Sequence, residues 1–145
     1  MNTSLESLSD EACLRLLKGE SVGRIALIVD GDPIILPVNY RLVETGSGPL
    51  LALRTRPGNV IDHAPTNVAF EIDAIDPVHQ KGWSVLVRGE LLHAEQTSHA
   101  FQERYDPESW LADRDSWLLI EPYAITGREL RGGDPLWPVR PGEYM

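Results

Sequence analysis

Arg54, Thr55 and Arg56 gather two guanidinium groups and a hydroxyl within three residues, and Pro57-Gly58-Asn59 follows them directly. Such donors suit an oxyanion. Arginine grips phosphate through paired, charge-assisted hydrogen bonds, and a short helix beginning at Asn59-Val60 would add backbone amides and the positive end of its dipole. The chemistry implied is phosphate binding at a strand exit. The same pattern also serves as a solvated corner, so the remaining residues have to carry the choice.

A second set is aromatic and small polar. Trp83-Ser84 follows Gly82, and Asn39-Tyr40 stands shortly after Pro37. An aromatic ring beside backbone donors suits a flat heteroaromatic ligand, which gains from stacking and edge hydrogen bonds. The alternative for Trp83 is a plug in a barrel mouth or a subunit contact. Glu71 and Asp73 lie two apart on an expected strand and so share a face, either as an acidic pair or as part of a solvated sheet surface.

Other chemistries lack their signatures. There is no G-x-S-x-G elbow, and the single cysteine, Cys13, falls on the apolar face of an expected helix. His63, His79, His93 and His99 are scattered without metal-ligand spacing, so no metal site is expected. Neither G-x-G-x-x-G nor a P-loop occurs. The net charge of −9 argues against nucleic-acid binding. Residues 21–60 nevertheless hold four arginines against three acids, while the rest of the chain holds nine bases and nineteen acids. That asymmetry can focus a small anion on one quarter of an acidic protein.

The elements that must position these residues read as mostly β. At 145 residues one domain is expected, with its core over about 8–130 and an irregular, proline- and glycine-rich tail over 131–145. No apolar run approaches the ~20 residues of a membrane span, no signal peptide is visible, and one cysteine fits a reducing cytoplasm. Ser9-Asp10-Glu11 starts a helix that Gly19 stops. Val22–Val29 is a strand, Asp30-Gly31 a hairpin turn, and Ile34–Val43 its return, with Pro37 marking an edge, a bulge or a backbone that meets something else. Further strands are expected at Leu50 onward, Val68–Ile75, Trp83–Glu95 with a bend at Gly89, and Trp117–Pro122, followed by a segment 124–130. Short helices are expected after Asn59 and over about 97–105. The sum is a mainly β (α+β) chain: a six-stranded antiparallel β-barrel with peripheral helices.

Taken in order, the segments Gly23-Arg-Ile-Ala26, Leu36-Pro-Val-Asn-Tyr40, Leu53-Arg-Thr-Arg-Pro-Gly58, Val68-Ala-Phe-Glu-Ile-Asp73, Gly82-Trp-Ser-Val-Leu-Val-Arg-Gly89 and Ile125-Thr-Gly-Arg128 resemble the FMN-binding split-barrel proteins related to pyridoxamine 5'-phosphate oxidase. The resemblance implies a split barrel, a homodimer with cofactor sites at the interface, FMN as cofactor, and flavin-dependent oxidoreductase chemistry on a small organic substrate. It puts the phosphate at Arg54, Thr55, Gly58 and Asn59, and the ring edge along Val38, Asn39 and Tyr40. Trp83 and Ser84 would reach the ring from the barrel or the partner subunit, and Arg128 would cap the phosphate end. Val60 stands where relatives often carry lysine, which leaves a deazaflavin as the alternative cofactor, or a non-catalytic flavin- or haem-binding protein. No residue is singled out as a catalytic acid or base.

Overall fold

The computed structural model describes residues 4–55, 61, 63–93 and 116–132. Chain order is β1 (Ser4–Ser7), α1 (Asp10–Gly19), β2 (Val22–Val29), β3 (Asp32–Thr45), β4 (Gly48–Thr55), β5 (Thr66–Asp76), β6 (Lys81–His93) and β7 (Ser116–Arg131). All pairings are antiparallel, in the order β1-β7-β4-β3-β2-β5-β6, and β6 also pairs with β7. That last pairing closes β2–β7 into the expected six-stranded barrel and leaves β1 as a seventh strand on the far half of β7. The segments 117–122 and 124–130 are one continuous strand of 16 residues, not a strand and a separate tailpiece. Its length lets β7 meet β4 at Ser116–Ile120, β6 over Leu118–Leu130 and β1 at Arg128–Arg131.

Alternation accounts for the inside and outside of the barrel. Ile25 and Leu27 of β2, Val68, Phe70 and Ile72 of β5, and Val85, Val87 and Leu91 of β6 point inward and are buried. The helix closes one end of the barrel. Ser9 caps it by accepting a hydrogen bond from the Ala12 amide at 3.2 Å, acids occupy its first turn and Lys18 its last. Cys13 and Leu17 face the core, and burial pushes the Cys13 thiol above its ordinary range. Helix and strand meet so closely that a side chain at Gly127 would stand 2.6 Å from the Cys13 sulfur.

The turn between β2 and β3 is the expected Asp30-Gly31, both with positive φ (51° and 85°), as a two-residue hairpin of this hand requires. Gly89 is the site of the expected irregularity. The register with β7 slips between Arg88 and Gly89, so Arg88 faces Ala124 while Gly89 faces Pro122 and Tyr123 is the extra residue. In the region of the helix expected after Asn59, Ile61 lies in a turn and His63-Ala64 are non-helical. The helix expected over 97–105 and the tail beyond Gly132 lie outside the described residues.

Gly89→Ala is expected to destabilise the barrel by ~1–3 kcal/mol, because an added Cβ would sit 2.4 Å from the Glu121 carbonyl oxygen and backbone cannot step aside as a side-chain tip can. A lower urea midpoint with an unchanged slope measures this.

Candidate functional site

The barrel comes apart along one seam. β3 pairs with β2 from Asp32 to Asn39, but with β4 only from Tyr40 to Thr45. Beyond the Tyr40–Leu53 pair, β4 continues as Arg54-Thr55 beside Trp117 and Ser116 of β7. Among the described residues, no strand pairs with Asp32–Asn39 on the β4 side. The Tyr40 amide donates to the Ser21 carbonyl at 2.9 Å, toward β2. Backbone groups alternate sides in an antiparallel strand, so the N–H positions of residues 33, 35, 37 and 39 face the open seam. Two of these are prolines. Pro37 therefore sits at an edge, where its missing donor costs no ladder bond.

Asn39 is half-buried, and Val38 packs against the core. Arg54 is half-buried with its guanidinium over the Trp117 ring, 5.9 Å from the centroid, and Thr55 is buried. Gly58, Asn59 and Val60, assigned to the same seat by the resemblance, lie outside the described residues, as does Arg56. Tyr40 has a different place from its neighbours. Its side chain is 1% exposed, its ring meets Phe70 edge-on at 4.8 Å, and its hydroxyl donates to the Leu17 carbonyl near the end of α1 at 2.5 Å. Burial pushes the phenol well above its ordinary range. With its side chain in the core and its amide engaged toward β2, Tyr40 leaves the seam-facing backbone to Asn39.

Trp83, Ser84 and Arg128 come together elsewhere, in a groove of about 350 Å³ on β6 and β7 lined also by Leu5, Glu71 and Thr126. Trp83, on the same face of β6 as buried Val85 and Val87, is half-buried, packs against the core and also lines the groove. Ser84 faces out between Asp73 and Arg128, its partners on β5 and β7. The adjoining row around the barrel runs Arg24, Glu71, Leu86, Thr126.

Within that row one Arg24 nitrogen (Nη1) donates to Glu71 Oε1 at 2.7 Å and to Asp73 Oδ2 at 3.0 Å. Desolvation pushes the Glu71 carboxyl up to about 7, helped by a hydrogen bond with Asp73 and that neighbour's negative charge, against the opposing pull of Arg24. Two carboxylates beside one cation cannot both ionise cheaply. The Glu71/Asp73 spacing was readable as a shared face, but the contribution of Arg24 was not. It depends on the β2–β5 register, in which Arg24 pairs with Glu71 from 47 residues away.

The expected residues thus fall into two clusters. One is at the seam (Val38, Asn39, Arg54, Thr55), the other in the groove (Trp83, Ser84, Arg128). Arg54 pairs with Trp117 and Ser84 with Arg128, so the clusters are eleven residues apart along β7. That is an extended length of roughly 36 Å, shortened by the bend at Gly89, and far more than two arginine side chains can close.

The sequence profile of the pyridoxamine 5'-phosphate oxidase family matches residues 9–129. The chain belongs to that family. It is 34% identical over 124 residues to Rv0080, an uncharacterized protein of Mycobacterium tuberculosis, covering 81% of this chain and 80% of that one. The FAD binding protein from Mycobacterium smegmatis shares 30% identity at a TM-score of 0.66, with 88% of this chain and all of that one aligned. An FAD-binding protein from Mesorhizobium loti shares the fold at a TM-score of 0.73 and 22% identity, over 89% of this chain and 98% of that one. Among the described residues no helix is long and apolar enough to cross a membrane.

Tyr40→Phe removes the hydroxyl that satisfies the Leu17 carbonyl and is expected to cost ~1–2 kcal/mol of stability, read as a lower Tm. Since the hydroxyl lies in the core, ligand affinity in the folded variant is expected to stay as in the parent.

Proposed function

We propose that the protein binds a flavin at a site built from two copies of the chain and uses it as an oxidoreductase on a small organic substrate. The observation that carries the reading is the seam. It offers an open backbone edge at Asn39 beside Arg54 and the Thr55 backbone, a donor set suited to a heteroaromatic ring with an anionic tail. Asn39 would supply backbone groups to the ring edge, Val38 an apolar flank, and Arg54 charge for the phosphate, with Gly58 and Asn59 continuing the seat. When bound, the flavin would supply the hydride or electron transfer, and the protein's part is position, charge and exclusion of water.

The two-cluster arrangement supports a homodimer. Ser84 and Arg128 cannot join Arg54 of their own chain on one ligand, but they can join Arg54 of a second copy. A twofold axis repeats that contact and yields two equivalent sites. The relative from Mycobacterium smegmatis is called an FAD binding protein, which favours a flavin with an extended tail over FMN alone. A deazaflavin remains the second reading, carried by Val60 at the position where relatives often have lysine.

Arg54→Ala is expected to weaken flavin binding by ~2–3 kcal/mol, tens- to hundreds-fold, while the dimer stays folded. Fluorescence titration with FMN, FAD and a deazaflavin reads both the loss and the preferred cofactor. An unchanged affinity in the variant removes Arg54 from the seat. Mixing Arg54→Ala with Arg128→Ala chains is expected to restore binding, since a mixed dimer carries one intact site. A single-chain site would gain nothing from mixing.

A further inference from the structure

The groove holds an acid that the flavin reading does not use. Glu71 lines it, a third exposed, while Arg24, its partner on β2, is half exposed. Asp73 lies two residues along β5, and Leu86 is the lateral partner of Glu71 on β6. Arg88 stands diagonally, opposite Ala69, and Thr126 and Arg128 follow on β7. β1 presents Leu5 to the groove, with Glu6 turned to Arg131 at 3.4 Å. Glu71 thus faces one bridging cation, one competing carboxylate and an apolar wall, with two further arginines at the margins.

We propose that Glu71 takes up a proton when an anionic flavin phosphate loads the composite site, so that cofactor occupancy is coupled to pH. This rests on the flavin reading and specifies how that site is regulated. Two changes on loading act in the same direction. An arriving anion adds negative charge near the Glu71–Asp73 pair, and covering the groove removes water from a carboxyl whose ionised form already lacks solvation. Each raises the cost of ionised Glu71, while Arg24 remains paired through Asp73.

The sign follows from linkage. A carboxyl with a higher affinity for protons in the loaded state than in the free state binds a proton together with the ligand. Between the two midpoints, ligand affinity then falls as pH rises, by at most tenfold per pH unit for one proton. With the free carboxyl titrating at about 7, the decline is expected from about pH 7 upward and is present under near-neutral conditions.

The test is isothermal titration of the full-length dimer with FAD from pH 5.5 to 8.5, in buffers of different ionisation heat, for the parent and Glu71→Gln. FAD is the first probe because its diphosphate does not titrate in this window, whereas the FMN phosphate does. The proposal expects net proton uptake and falling affinity in the parent, and neither in Glu71→Gln. Equal proton uptake in both proteins overturns it while leaving the flavin reading intact. If FAD fails to bind, the same comparison is made with FMN. Absence of binding by both at every pH removes the flavin reading and this proposal with it. Should Glu71→Gln not fold, carbon NMR of the Glu71 carboxyl in the parent decides: its midpoint is expected to rise on loading, and an unmoved midpoint overturns the coupling.

Discussion

The pairing of β7 with three different strands holds the molecule together. β4 takes its first residues, β6 most of its length and β1 its last four. Without the β6 contact the sheet would stay open, with two long edges and a half-formed core. The bulge at Gly89 and Tyr123 lets one strand serve all three partners, because it bends β7 and restores inward alternation on the far side. Ile120 before the bulge and Ile125 beyond it can then both contribute to the core although their spacing is odd. The helix depends on the same strand, since Cys13 and Leu8 rest on the bare backbone of Gly127.

Closure on one side is matched by separation on the other. Tyr40 and Leu53 are the last paired residues before β3 and β4 part, and both are buried. Tyr40 ties this point to Phe70 through its ring and to α1 through its hydroxyl. A core anchor immediately beside an open seam keeps Asn39 and Arg54 in fixed relation even though no ladder bond joins them. Among the described residues the seam is flanked by half-buried Asn39 on β3 and half-buried Arg54 on β4.

Much of this was legible in the residues. The period-two pattern of Val68, Phe70 and Ile72, the Asp30-Gly31 turn, the Ser9 cap and the bend at Gly89 are local signals, and local structure obeyed them. β1 was missed because Ser4–Ser7 has no alternation of its own and is a strand only by virtue of β7. The resemblance put Tyr40 with Val38 and Asn39 along the ring edge; the burial of its side chain depends on Leu17 and Phe70, distant in sequence. Whether Trp83 and Ser84 would stand beside Arg54 of their own chain was left open by the residues, since their separation along β7 depends on how the strands are paired. The Arg24–Glu71–Asp73 cluster is of the same kind, requiring β2 and β5 to dock in one register.

The two prolines on the open edge have an effect beyond local geometry. Of the four backbone positions in Asp32–Asn39 whose amides would face the seam, Pro33 and Pro37 have no hydrogen to offer. An extended chain seeking to add itself as a further strand would meet donors only at Ile35 and Asn39, too widely spaced to sustain a ladder. Among the described residues, the open edge of β3 is thereby a poor template for a further strand, which guards a barrel with an unpaired edge against edge-to-edge association.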